Sequence, residues 1–149
     1  MGKLRRRLVV QPIVTPVTTP TLPDRARTAF GEWLGGLDLW DHFATLTFDY
    51  YPSLDTARRL FDVWVKRLER DAKGRVNWFW VLERGAFGKP HLHALVSGTA
   101  GIGSTGCVGA WSFGLAEAVD YDRNRAASYY LTKTLNLDWA EYDLSVKPR

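Results

Sequence analysis

Hydrophobic and polar positions repeat with two different periods along the chain, and the change of period separates predicted helices from predicted strands. Between residues 54 and 72 the apolar side chains recur at helical spacing, and Ser53 is placed to cap the first turn. The apolar stripe consists of Ala57, Leu60, Phe61, Trp64, Val65 and Leu68. This segment is therefore predicted to form a helix with one buried face.

Shorter segments rich in β-branched and aromatic residues predict strands at 42–48, 76–84, 91–97 and about 117–121. Further helices are predicted from Asp24 to the pair Gly35-Gly36 and, after a cap at Asp122, over about 123–137. The Gly-rich segment 98–109 is interpreted as a flexible loop. This order of elements predicts an α+β fold: a central antiparallel sheet with helices packed on one face, close to the split βαβ (RRM/ferredoxin-like) arrangement.

The first 23 residues are interpreted as an extended, basic arm, because four prolines in it disfavour both helix and central strand. Residues 24–149 are expected to form a single domain. Arg5, Arg6 and Arg7 in the arm could contact phosphates of a nucleic acid, although a solvated run of terminal charge is the simpler explanation.

Composition narrows the class of protein. The 149 residues are 46% hydrophobic, which argues against a disordered chain, and the formal net charge of +4 is compatible with a polyanionic partner without requiring one. A single cysteine, Cys107, excludes an internal disulfide and a closed zinc–thiolate site. No apolar run approaches the length of a membrane span, so a cytoplasmic protein without a membrane partner is expected.

Two histidines of one predicted strand carry the first candidate chemistry. His91 and His93 are two residues apart, so both project from the same face of a strand. If the hairpin before them turns around Phe87, Glu83 lies directly opposite His91 and joins them on that face. Imidazole and carboxylate groups together suit a divalent ion, Mn²⁺ or Mg²⁺. A strand with two hydrogen-bonded histidines and a salt-bridged Glu83 is the ordinary alternative.

The last predicted helix carries the second candidate. On a helical wheel Tyr130 lies at the edge of the buried stripe and Lys133 follows on the same side. Tyr129 points away from the stripe, which makes it the less favoured nucleophile without removing it. On the helix alone, a packing tyrosine and a solvated lysine would explain both residues.

Three motifs follow one another in order: Phe43 to Phe48, then Glu83 with His91-Leu92-His93, then Tyr130-Leu131-Thr132-Lys133. This pattern resembles the HUH endonuclease superfamily, specifically the replication initiator (Rep) proteins of rolling-circle plasmids and small single-stranded DNA viruses. The resemblance covers about residues 43–137.

The resemblance implies a metal-dependent enzyme that nicks and rejoins single-stranded DNA at a replication origin or hairpin. Tyr130 would be the covalent nucleophile and Lys133 its cationic neighbour, and Glu83, His91 and His93 would hold Mn²⁺ or Mg²⁺. Lys89 joins Arg5, Arg6 and Arg7 as a candidate for DNA contact. Unwinding would require a separate helicase, since a helicase domain is not expected in this chain. For a viral member, the location would be the replication compartment of the host cell.

Three other functions compete with this interpretation. A relaxase or single-strand transposase of the same superfamily would share the chemistry. A non-catalytic RRM-like module would bind single strands by stacking bases on aromatic residues of the sheet such as Trp78, Phe79 and Trp80. Trp78 and Trp80 lie on the face opposite Glu83, which favours a core position for both. A metal-dependent phosphohydrolase would keep the metal ligands and use activated water in place of Tyr130.

Overall fold

The structure, a computed structural model, describes residues 4–9, 22–84, 89–125 and 139–148. The described strands are β1 (Leu4–Val9), β2 (His42–Leu46), β3 (Asn77–Arg84), β4 (Pro90–Ser97), β5 (Ala116–Asp120) and β6 (Trp139–Ser145). The described helices are α1 (Leu22–Leu37), α2 (Leu54–Ala72) and α3 (Gly103–Gly109). Most of the predicted helix over 123–137, with Tyr129, Tyr130 and Lys133, lies outside the described residues.

The six strands form one sheet in the order β1-β6-β3-β4-β2-β5. Each neighbouring pair is antiparallel. The α+β class with helices on an antiparallel sheet is thereby confirmed.

Alternation along β3 explains how the sheet carries a core on each side. Trp78 and Trp80 point to a core shared with α2, whereas Phe79 and Val81 point to a second core shared with α1. The expectation that the helices pack on one face was wrong, because both faces of β3 are apolar and each requires a cover. We call the two sides of the sheet the α2 face and the α1 face.

The helix α2 follows its predicted bounds and buried stripe. Ser53 caps it by accepting a hydrogen bond from the Thr56 amide at 3.2 Å. Lys73 ends it in the left-handed conformation at φ 55°, and the Gly74 amide donates to the Glu69 carbonyl.

The helix α1 does not end at Gly35-Gly36 as predicted but continues to Leu37. Leu34 is fully buried and Leu37 packs beside it against the sheet. The indole of Trp40 folds back and donates to the Leu34 carbonyl at 2.9 Å. Burial of this last turn outweighs the low helix propensity of the two glycines.

Three elements depart from the prediction. Residues 103–109 form α3 and not a flexible loop, because Cys107 is fully buried and its carbonyl accepts a hydrogen bond from the Trp64 indole at 2.9 Å. Leu4–Val9 is extended, as expected, but also pairs with β6 as an edge strand. The strand β6 itself was not predicted.

Within the described residues, none of the helices combines the length and apolar composition of a membrane span.

Candidate functional site

The candidate metal ligands lie on neighbouring strands in the predicted register. Glu83 on β3 is directly opposite His91 on β4, and Val81 is opposite His93. Directly opposed residues of antiparallel strands share a face, so all three candidates lie on the α1 face. Glu83 occupies the end of the row that begins with Phe79 and Val81, both in the core under α1.

Within this group the closest contact joins Glu83 to His93. The Oε2 atom of Glu83 lies 2.7 Å from Nε2 of His93, and the two side chains are 22% and 16% exposed. The carboxylate therefore has a partner on β4. The side chain of Arg84, one of the partners considered from the sequence, lies outside the described part of the chain. Because Glu83 and His93 are both partly exposed, this pair is reachable from solvent.

The strand β2 holds the other side of the His93 ring. Thr45 pairs with His93 in the ladder, and its Oγ1 lies 3.2 Å from Nδ1 of the imidazole. The Phe43 ring lies parallel to the imidazole, with centroids 5.9 Å apart and planes 2° apart. Sequence reasoning noticed this strand as a motif but gave Thr45 and Phe43 no role. The missing signal was the pairing of β2 with β4, which puts residues 43 and 45 beside His93.

The donors fit a divalent ion in chemical type and in strand position. Their side chains, however, are not gathered around one point: among the described residues, no group of three or more His, Cys, Asp or Glu is close enough to hold a metal ion. Glu83 and His93 contact each other, and His91 is half-buried outside that contact. Binding an ion at these residues requires the direct contact of Glu83 with His93 to open.

The third histidine, His42, lies on the opposite face of the sheet from the candidate ligands. His42 is 3% exposed, with Nδ1 2.7 Å from the Thr99 hydroxyl and Nε2 3.3 Å from an Asp120 carboxylate oxygen. It lies opposite Val96, whose side chain is in the α2-face core. His42 is therefore a structural residue on the other side of the sheet.

The basic residues proposed to contact DNA are separated by the pairing of β1 with β6. Arg5 is opposite Asp143, Arg6 is opposite Tyr142, and Arg7 is opposite Glu141. Tyr142 packs in the core under α1, so the register places position 6 on the α1 face and positions 5 and 7 on the α2 face. Lys89 is half-buried and directly precedes β4. DNA contact by these residues stays a prediction.

Comparison with known proteins shows which family the chain belongs to. The sequence model of the family described as Replication-associated protein ORF2/G2P matches residues 41–136, more than half of the chain. The chain belongs to this family. No curated protein and no solved structure matches the chain.

The part of the chain that matches this replication-associated family runs from the start of β2 past the end of β5. It contains the contact of Glu83 with His93 and also the predicted nucleophile Tyr130 with its neighbour Lys133. The helix α1 and the strands β1 and β6 lie outside the matched range.

Proposed function

We propose that the protein is a metal-dependent, site-specific nuclease and ligase of the HUH superfamily that initiates rolling-circle replication. It nicks single-stranded DNA through a 5′-phosphotyrosine at Tyr130. One observation carries the proposal: in a chain of the replication-associated family, His91 and His93 lie on one strand face in register with Glu83. A partly exposed cross-strand set of two imidazoles and a carboxylate is suited to bind a divalent ion beside a phosphate.

The topology of the sheet supports bringing Tyr130 to these ligands. The helix α1 connects the parallel strands β1 and β2 across one face, and α2 connects the parallel strands β2 and β3 in the opposite direction across the other face. These two connections have the same hand, and connections between parallel strands of one sheet are almost always right-handed.

The same rule applies to the chain between β5 and β6, which are also parallel. The connection from β5 to β6 runs toward the β1 edge of the sheet, as the α2 connection from β2 to β3 does. It begins, however, on β5, which is antiparallel to β2. A connection of the same hand would therefore cross the α1 face. Tyr121, at its start, already packs into the core under α1. The proposal accordingly assigns Tyr130 and Lys133 to the face that carries His93.

The chemistry assigned to the protein's own groups is a nucleotidyl transfer. The Tyr130 oxygen, after losing its proton, forms a bond to the scissile phosphorus, and the bond from phosphorus to the 3′ oxygen breaks. The 3′ oxygen takes up a proton, and the phosphate stays on the 5′ side, joined to tyrosine. Lys133 stabilises the phenolate, whose ordinary pKa near 10 otherwise disfavours it at neutral pH. The reverse reaction rejoins the strand.

When bound by Glu83, His91 and His93, a divalent ion, Mn²⁺ or Mg²⁺, supplies charge compensation at the phosphate oxygens. As the side chains stand, Glu83 and His93 hold each other in place at this position. A binding-only module is less well supported, because Trp78 and Trp80 are 5% and 1% exposed and belong to the core. They cannot serve as a stacking platform for bases.

The decisive experiment is capture of the protein–DNA adduct. Labelled single-stranded oligonucleotides of randomised sequence are incubated with the full chain and Mn²⁺ or Mg²⁺, then separated under denaturing conditions. The proposal predicts a covalent adduct in the wild type and in Tyr129→Phe, and none in Tyr130→Phe or with a chelator. Cleavage that persists in Tyr130→Phe without an adduct would support a water-using phosphohydrolase instead. An adduct lost only in Tyr129→Phe would move the nucleophile by one residue.

A further inference from the structure

We propose that Thr45 is a positioning residue that lets His93 exchange its contact with Glu83 for a metal ion while keeping a hydrogen bond at its other nitrogen. This inference rests on the proposed metal site and adds a residue to it. Both ring nitrogens of His93 have partners, Glu83 at 2.7 Å and Thr45 at 3.2 Å.

The two partners of His93 differ in what they can do. A carboxylate such as that of Glu83 accepts hydrogen bonds, whereas a hydroxyl such as that of Thr45 can either donate or accept one. Thr45 can therefore keep its hydrogen bond to Nδ1 of His93 whichever ring nitrogen carries the proton.

A neutral imidazole that held a divalent ion through Nε2 would carry its proton on Nδ1, and Thr45 Oγ1 would then accept a hydrogen bond from it. A hydroxyl can rotate between the two roles, whereas a carbonyl oxygen or an ammonium group can fill only one of them.

Ring orientation is preserved through this exchange by the neighbours on β2. The Phe43 ring is parallel to the imidazole and keeps its plane, and Thr45 is fixed opposite His93 by the strand pairing. Nε2 thus stays directed to the side of Glu83 before and after the exchange. Partners of this kind typically change metal affinity about 10- to 100-fold when removed.

Thr47, the residue directly after β2, offers a matched control. The Thr47 hydroxyl donates to the Leu115 carbonyl at 2.9 Å and accepts from the Leu115 amide at 3.0 Å. Thr47→Val therefore removes a threonine hydroxyl from the same segment, with its two hydrogen bonds made to Leu115. Thr45→Val is isosteric and removes the bond to His93, and Thr45→Ser restores a hydroxyl there.

The test is titration of the full chain with MnCl₂ by calorimetry, without DNA. We expect Thr45→Val to bind Mn²⁺ at least about tenfold more weakly than the wild type, with Thr45→Ser and Thr47→Val close to the wild type. Equal affinity in Thr45→Val and wild type, or no binding of Mn²⁺ by the wild type, would overturn the inference. Thermal unfolding of each variant shows that the comparison is between folded proteins.

A second readout uses the wild type alone and so does not depend on how a variant folds. The ¹⁵N resonances of the His93 ring, recorded with Zn²⁺ as a diamagnetic probe, should show metal on Nε2 and a proton on Nδ1. Metal on Nδ1 would overturn the role of Thr45. The two proposals fail separately: Thr45-dependent Mn²⁺ binding without a DNA adduct refutes the nicking function, and an adduct with Thr45-independent Mn²⁺ binding refutes this inference.

Discussion

Replacing Asn77 by alanine tests how the end of the sheet under α1 is held together. Asn77 is 1% exposed at the start of β3, and its amide nitrogen donates to Asp38 Oδ2 at 2.7 Å and to the Lys147 carbonyl at 3.1 Å. Its amide oxygen accepts from the Lys147 backbone amide at 3.1 Å. The side chain thus joins β3 both to the segment after α1 and to the segment after β6.

Asn77→Ala removes three hydrogen bonds, one of them to a carboxylate. Neutral bonds contribute about 1 kcal/mol each and a bond to a charged group about 2 kcal/mol, so the free energy of unfolding should fall by about 4 kcal/mol. That is a large share of the roughly 5–15 kcal/mol typical of a domain.

Urea unfolding followed by tryptophan fluorescence measures this loss, since the chain has seven tryptophans. The matched control is Asn124→Ala, at an exposed position, where a change within about 0.5 kcal/mol is expected. A loss below about 1 kcal/mol in Asn77→Ala would refute the argument that these hydrogen bonds hold the three segments together.

Further predictions follow from single positions. Burial raises the pKa of the Cys107 thiol to about 11, so Ellman's reagent at pH 8 should react with this thiol only as the protein unfolds. Because the pKa is higher in the folded state than in the unfolded state, the contribution of this thiol to stability is present at lower pH and is lost as the pH rises toward 11. Gly114→Ala should lower the free energy of unfolding by about 1–3 kcal/mol, because the added Cβ would lie 2.3 Å from the Thr47 carbonyl oxygen. Gly109→Ala is the control for thermal melts and should not lower the free energy of unfolding in this way, because its added Cβ would meet no atom within 4 Å. Arg6→Ala should weaken binding of single-stranded DNA in a filter-binding assay more than Arg5→Ala does, since position 6 is on the α1 face and position 5 is opposite the fully buried Asp143; equal losses would contradict that assignment.

The sequence was informative where local signals and burial agree. The bounds of α2 followed from Ser53 and from an apolar stripe at helical spacing, and the structure has both. The register of Glu83 against His91 followed from the short connection between their strands. In each case a few neighbouring residues determine the geometry.

Prediction failed where distant residues decide the structure. Polar and apolar residues do alternate over 141–146, with Tyr142, Leu144 and Val146 under α1, so the local pattern indicates β6 and the prediction overlooked it. The pattern does not show that the other face is covered as well, where Glu141 lies 3.5 Å from an Arg58 nitrogen. The glycines of α3 suggest a loop, yet this segment is helical where Cys107 packs under Trp64. The roles of Thr45 and Phe43 likewise depend on a strand pairing that no local pattern reveals.

The central claim is that Tyr130 becomes covalently joined to DNA on the face that carries Glu83 and His93. Trypsin cleavage after Arg125 and Lys133 yields a peptide, residues 126–133, that contains both Tyr129 and Tyr130. Tandem mass spectrometry of the digested adduct can therefore locate the attached nucleotide. The account predicts a nucleotide joined through its 5′ phosphate to Tyr130; attachment to Tyr129, attachment outside this peptide, or linkage through a 3′ phosphate would contradict it.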